Sequence, residues 1–149
     1  MSYYKIRIVK KILFVLPFIF QFALAKAQLQ PGQKLGKNVK IINQSKYTLS
    51  SSGSIEKAYT VVYSGHTYDV TLNPDKNIKA VFTNDKTFTT ADSIKIGMPY
   101  SQIEYLLLNK QPHVYPGWAQ FYDSKSGWKI AFDFNSPVSD TSRVQFMFK

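Results

Sequence analysis

The 149-residue chain predicts an α+β domain: an antiparallel sheet of about six strands packed on one short helix, behind an N-terminal signal peptide. Three observations carry this expectation. Residues 58–72 alternate apolar and polar on both sides of Gly65-His66, the period of a half-buried hairpin. Residues 119–134 repeat that pattern with aromatic residues around Ser124-Lys125-Ser126-Gly127. Between them only residues 100–109 carry apolar positions at helical spacing.

At the N-terminus, Lys5, Arg7, Lys10 and Lys11 precede an almost purely apolar run, Ile12 to Ala25, and a small-x-small site, Ala25-Lys26-Ala27. That order is a secretory signal peptide cut before Gln28. The apolar run of 14 residues would reach about 21 Å as a helix, short of a hydrocarbon core of about 30 Å. The chain has no cysteine, which excludes disulfides, cysteine-ligated metals and a lipidated thiol. The expected organisation is a signal peptide over 1–27, a basic polar leader over 28–54 and one α+β domain over 55–149. The expected location is the periplasm or the exterior, and not as a lipoprotein.

The formal charge of +10 is unevenly spread. Five of the 19 basic residues lie in the first 27 positions, and the first acid is Glu56. Lys34, Lys37, Lys40 and Lys46 therefore stand in a segment without acids. Such a segment is a solvated arm or a peripheral contact with an anionic membrane surface. Four scattered lysines make too thin a patch for nucleic acid, which is not an expected partner.

Along the mature chain, Gln28 to Gly36 reads as a flexible leader. Val39 to Ile42 and Tyr47 to Leu49 each have the composition of a short strand, and Ser50 to Ser54 is a loop. A two-residue turn at Gly65-His66 would pair Tyr63 with Tyr68, Val61 with Val70 and Tyr59 with Leu72, all on one buried face. Ile78 to Thr83 extends the meander after the turn at residues 73–77. Asp85 and Asp92 bracket the loop of Phe88 and should accept backbone N–H groups there. The helix expected over Tyr100 to Asn109 places Ile103, Leu106 and Leu107 on one face, widened by Tyr100 and Leu108. Its start has two readings: a capping box from Ser101 to Glu104, or Pro99 at the first helical position. In the second hairpin, opposing Asp123 to Trp128 brings Phe121 to Ile130 and Ala119 to Phe132. That register puts Tyr122 on the other side with Lys129. Val144, Phe146 and Phe148 would share one face of the last strand. One short helix covers only part of such a sheet, so curvature or a partner is expected to cover the rest.

Phe88-Thr89-Thr90-Ala91-Asp92-Ser93-Ile94-Lys95-Ile96-Gly97 resembles a module of small exported bacterial proteins, with Ser93 where glycine is usual. Gly97-Met98-Pro99-Tyr100-Ser101-Gln102-Ile103-Glu104 is similar to the start of the helix in small outer-membrane assembly lipoproteins and, more distantly, in the β-lactamase-inhibitor-like fold. Pro99 replaces the capping Thr or Ser, Asn109-Lys110 replaces the glycine that ends the helix, and the lipidated cysteine is missing. The resemblance implies the fold class and an exported location. It implies no catalytic residue. Gly97 is expected at a positive φ or in close packing.

Catalytic patterns are sparse. His66 and His113 lack second ligands at helical or strand spacing, and there is no nucleophile elbow or phosphate-binding glycine loop. Asp123 and Asp133 form a conceivable carboxylate pair for hydrolysis of envelope glycans, weighed against a turn cap and a solvated charge. No cofactor or metal is expected. Tyr115 and Trp118 flank Pro116-Gly117, where they either meet a partner or close the end of the core. The leading expectation is a binding or interaction protein without a covalent step, its partner an envelope protein or polymer. The candidate site is His113, Tyr115, Trp118, Tyr122 and Lys129. A structural envelope component is the remaining alternative.

Overall fold

The computed structural model describes residues 28–37, 39–49, 54–134 and 136–149; the expected signal peptide and most of the loop expected at 50–54 lie outside these. The described chain forms one antiparallel sheet of seven strands rather than six. The strands are β1 (Lys40–Leu49), β2 (Ile55–Tyr63), β3 (His66–Leu72), β4 (Ile78–Thr83), β5 (Phe121–Asp123), β6 (Lys129–Ala131) and β7 (Phe146–Phe148). Their order across the sheet is β1-β2-β3-β4-β7-β6-β5. The helix α1 spans Tyr100–Ile103 and continues as a 3-10 turn, Glu104–Leu106. Fold class and antiparallel pairing thus follow the expectation, whereas sheet size and helix length do not.

The two short strands expected before residue 50 are one strand, β1, which absorbs its polar middle through register shifts between Ile41 and Asn43 and between Asn43 and Lys46. In the first hairpin the turn residues are Ser64 and Gly65, both at positive φ, as in a type I′ turn. His66 therefore begins β3 opposite Tyr63, and Val61 opposes Tyr68 rather than Val70. Each partner moves by two residues, an even step, so every side chain keeps its face. Val61, Tyr68 and Val70 are fully buried in the main core.

The second hairpin departs by an odd step. Gly127, at φ 78°, follows a tight turn closed by the Gly127 N–H on the Ser124 carbonyl. The extra residue makes a G1-type bulge, so Phe121 opposes Ala131 and Tyr122 opposes Ile130. An odd shift exchanges faces. Tyr122 joins Ile130, Phe132 and Trp128 in the main core, while Phe121 shares the opposite face with Lys129 and Ala131. In β7 the core residue is likewise Met147; Phe146 and Phe148 point to the opposite face, and Val144 reaches the core from outside the strand.

Helix α1 is short because its flanks have better partners. The N–H groups of Tyr100 and Ser101 donate to the carbonyls of Ser142 and Asp140, so no side chain caps the helix. Pro99 is the N-cap, with extended backbone, and neither expected start holds. Beyond Leu106 the chain becomes extended and pairs with the sheet edge: Leu107 bridges Ser124, and the Leu108 N–H donates to the Asp123 carbonyl. Leu108 is consequently 66% exposed and does not widen the helix face. The rest of the core face is covered within the chain. Phe88, Ile94, Ile96, Met98, Leu106, Leu107 and Val138 lie against it. Asp85 and Asp92 pin this connection. Asp85 accepts the N–H groups of Thr67 and Thr87, and Asp92 accepts that of Ser126. The Thr87 and Thr67 hydrogen bonds hold the Asp85 carboxyl below its usual range. Gly97 has φ 86° with open space where its Cβ would lie, so conformation rather than packing requires it.

The stretch expected as a flexible leader is part of the body. Leu29 is 3% exposed within the main core. The Gly32 N–H donates to the Ile78 carbonyl, and the Ile78 N–H to the Gln33 carbonyl. The Trp128 indole N–H donates to Gln28 Oε1 at 3.1 Å. Lys149 lies over the same indole at 4.9 Å and donates to Gln30 Oε1. Gln28 and Gln30 are polar by composition, but they serve a buried donor and a half-buried ammonium, which composition alone does not reveal.

Leu29→Ala should lower stability in denaturant unfolding by about 2–5 kcal/mol, the range for truncating a buried leucine; a free leader would give no change. Two backbone variants should move in opposite directions. Gly127→Ala should cost about 1–2 kcal/mol, because φ 78° is a left-handed conformation. Ser93→Gly, at φ 69°, should be neutral or raise the melting temperature.

Candidate binding surface

The face of the sheet opposite the main core is wet over β1–β3 and aromatic over β4–β7. Its centre is a second apolar cluster of Ala119, Phe121, Ala131 and Phe148, flanked by Phe82, Trp118 and Phe146. Strand alternation produces it: Phe82 on β4, Phe146 and Phe148 on β7, and Phe121 on β5 all point away from the core. Phe82 stacks on Phe148 at 5.8 Å, and Phe121 meets Phe148 edge-on at 5.1 Å. Such pairs add about 0.5–1.5 kcal/mol each beyond burial.

The segment at 107–121 frames this cluster. His113 pairs with Phe121 through two backbone hydrogen bonds, extending the sheet beyond β5. Tyr115-Pro116-Gly117-Trp118 then turns back, with the Trp118 N–H on the Tyr115 carbonyl and Gly117 at φ 72°. Proline second and a positive-φ glycine third make a type II turn. It places Tyr115 over Phe121, stacked at 5.8 Å, and Trp118 against Phe146 and Phe148. His113 also stacks on Phe121, at 4.9 Å, and Lys129 Nζ lies 5.6 Å from the same ring.

Asp123 joins the imidazole and the ammonium group. One oxygen accepts from His113 Nε2 at 2.7 Å and the other from Lys129 Nζ at 2.8 Å. Burial pushes its carboxyl up, but the hydrogen bonds from Lys129 and His113 outweigh that effect and hold it below the usual carboxylate range. The arrangement is an aromatic patch rimmed by the hydrogen-bonded His113–Asp123–Lys129 triad.

Of the five residues read from the sequence, His113, Tyr115, Trp118 and Lys129 meet on this face. Tyr122 does not. It is buried on the core side against Tyr100 and Phe132, where burial and then a hydrogen bond with Tyr100 push its hydroxyl up to about 12. Phe121 takes the place expected for Tyr122. The surface-or-core alternative for the loop divides between its two rings. Tyr115 is 48% exposed; Trp118 is partly buried on the second cluster.

Next to Trp118 the face hollows into a groove of about 520 Å³. Phe82, Thr83 and Phe146 line it from the sheet, Lys46, Tyr47 and Thr48 from β1, and Trp118 and Phe134 from the opposite wall. Phe134 stacks on Phe146 at 6.0 Å yet stays 55% exposed. These groove aromatics were not in the sequence-derived set. No local pattern marks them: Phe82 and Phe146 lie on β4 and β7, which become neighbours only in the folded sheet.

Among the described residues no cluster of His, Cys, Asp or Glu is arranged to hold a metal, and no helix is long and apolar enough to cross a membrane.

A carboxyl held low when folded releases its proton more readily than in the unfolded chain. Its contribution to stability is therefore complete above the ordinary carboxyl range and is lost as acid protonates it. The stability difference between wild type and Asp123→Asn, followed by denaturant melts, should shrink as the pH falls from about 5 to about 2.

Compared with known proteins, the chain matches no family model, no curated protein and no solved structure.

Proposed function

We propose that the protein is an exported, non-enzymatic binding domain of the bacterial envelope, in the periplasm or outside the cell, whose partner is an envelope protein or polymer. The observation that carries this reading is the exposed Tyr115 ring held over Phe121, beside the half-exposed His113–Asp123–Lys129 triad. Aromatic anchors ringed by charge are the usual composition of a binding hot spot. Burial of Tyr115 and Phe121 edges would supply affinity, and the triad would set orientation. The signal-peptide order of residues 1–27 and the resemblance at residues 88–104 support export.

Hydrolysis by Asp123 and Asp133 has less support. Both Asp123 oxygens are already engaged, one by the His113 imidazole and one by the Lys129 ammonium group, which does not suit a free nucleophile. As for a basic arm resting on anionic lipid, Lys46 is ion-paired with Asp69, which leaves Lys34, Lys37 and Lys40 for that contact.

The test is capture from envelope extract by the mature chain beginning at Gln28. Tyr115→Ala should reduce specific capture about tenfold or more while keeping a cooperative melting transition, lowered only by the loss of one half-exposed ring contact. Undiminished capture by that variant would remove the reading. Trp118→Ala is less informative, because its ring also packs the second cluster.

A further inference from the structure

We propose that the groove between β1 and Trp118 binds a neutral glycan, one or two pyranose units of an envelope polymer; it goes beyond the binding reading above, because of the aromatic and triad residues named there only Trp118 lines the groove. Three observations converge. First, the groove, at about 520 Å³, falls within the usual range for small-ligand sites, and aromatic rings dominate its lining. Phe82, Phe146 and the half-exposed Phe134 offer flat apolar surface, which suits the C–H face of a sugar ring.

Second, the groove carries one cation and one anion, Lys46 and Asp69, and they are paired with each other. Asp69 also accepts the Thr60 hydroxyl at 2.7 Å. No uncompensated charge is left in the lining for a phosphate, a uronate or an ammonium group. The electrostatics select a neutral ligand.

Third, the groove is lined by unused hydrogen-bonding capacity. Asn84 and Gln145 line the same groove with side-chain amides that have no partner among the described residues. An acyl chain or an aliphatic side chain would cover the rings and leave these groups unsatisfied. A pyranose presents an apolar face and a rim of neutral hydroxyls, matching both requirements.

The chain has two tryptophans, and Trp128 is fully buried, so a ligand-dependent change in tryptophan emission reports on Trp118. The mature protein is titrated with neutral disaccharides (diacetylchitobiose, cellobiose and maltose), with a glucuronate-containing disaccharide, and with a short neutral leucine-rich peptide. A saturable change is expected with at least one neutral disaccharide, at a Kd of about 1 mM or tighter. Phe134→Ala and Asn84→Ala, both at exposed positions, should weaken it about tenfold, and calorimetry supplies a second readout. No response to any neutral disaccharide, or tighter binding of the charged sugar or the peptide, overturns the proposal. Envelope capture that persists without a sugar response would sink the glycan assignment alone, whereas capture insensitive to Tyr115→Ala would sink the binding reading.

Discussion

The half of the sheet built from β5, β6 and β7 is buried on both faces, and the bulge at Gly127 decides which residue serves which face. With that one extra residue in the return strand, Tyr122, Ile130 and Met147 face the main core, and Phe121, Ala131 and Phe148 form the second cluster. A connection one residue shorter would turn β5 over, exchanging Phe121 and Tyr122 between the two faces. Asp123 would then lose its place beside Lys129, and Tyr115 would have no ring to stack on. The binding surface is thus a consequence of register, and register here is a consequence of backbone conformation at a single position.

This also explains what was legible in the sequence. In the first hairpin one strand face is apolar and the other polar, so alternation alone assigned Val61, Tyr68 and Val70 to the core. A wrong turn position did no harm, because the error was even. In the second hairpin both faces are apolar. Alternation carries no information where Phe121 and Tyr122 are adjacent and both are buried, and the odd shift went undetected. The helix was read too long for a related reason: apolar spacing at Leu106 to Leu108 is compatible with a helix, but hydrogen bonds from the β5 edge are a tertiary competitor that local pattern does not contain.

The candidate site was legible in proportion to how local it is. Tyr115 and Trp118 were found because Pro116-Gly117 marks a turn that projects both. His113 and Lys129 stand out by residue type, yet their link through Asp123 depends on the bulge. Phe82, Phe134 and Phe146 come from distant segments and look like ordinary strand residues. Only the crossing of β4 beside β7 gathers them into a lining. The N-terminal stretch illustrates the converse: Gln28 and Gln30 signal a loop by composition, whereas their amides are spoken for by one indole and one ammonium group.

In chain order β7 comes after every other strand of the sheet, yet it lies in the middle, between β4 and β6. Without it the β1–β4 meander and the β5–β6 hairpin have no strand-to-strand link. The two parts are therefore not independent folding units, and neither can close its share of the core alone. Such long-range pairing favours slow, all-or-none folding. A cut in the connection between β6 and β7 would release the keystone and leave two sheets, each with a raw inner edge.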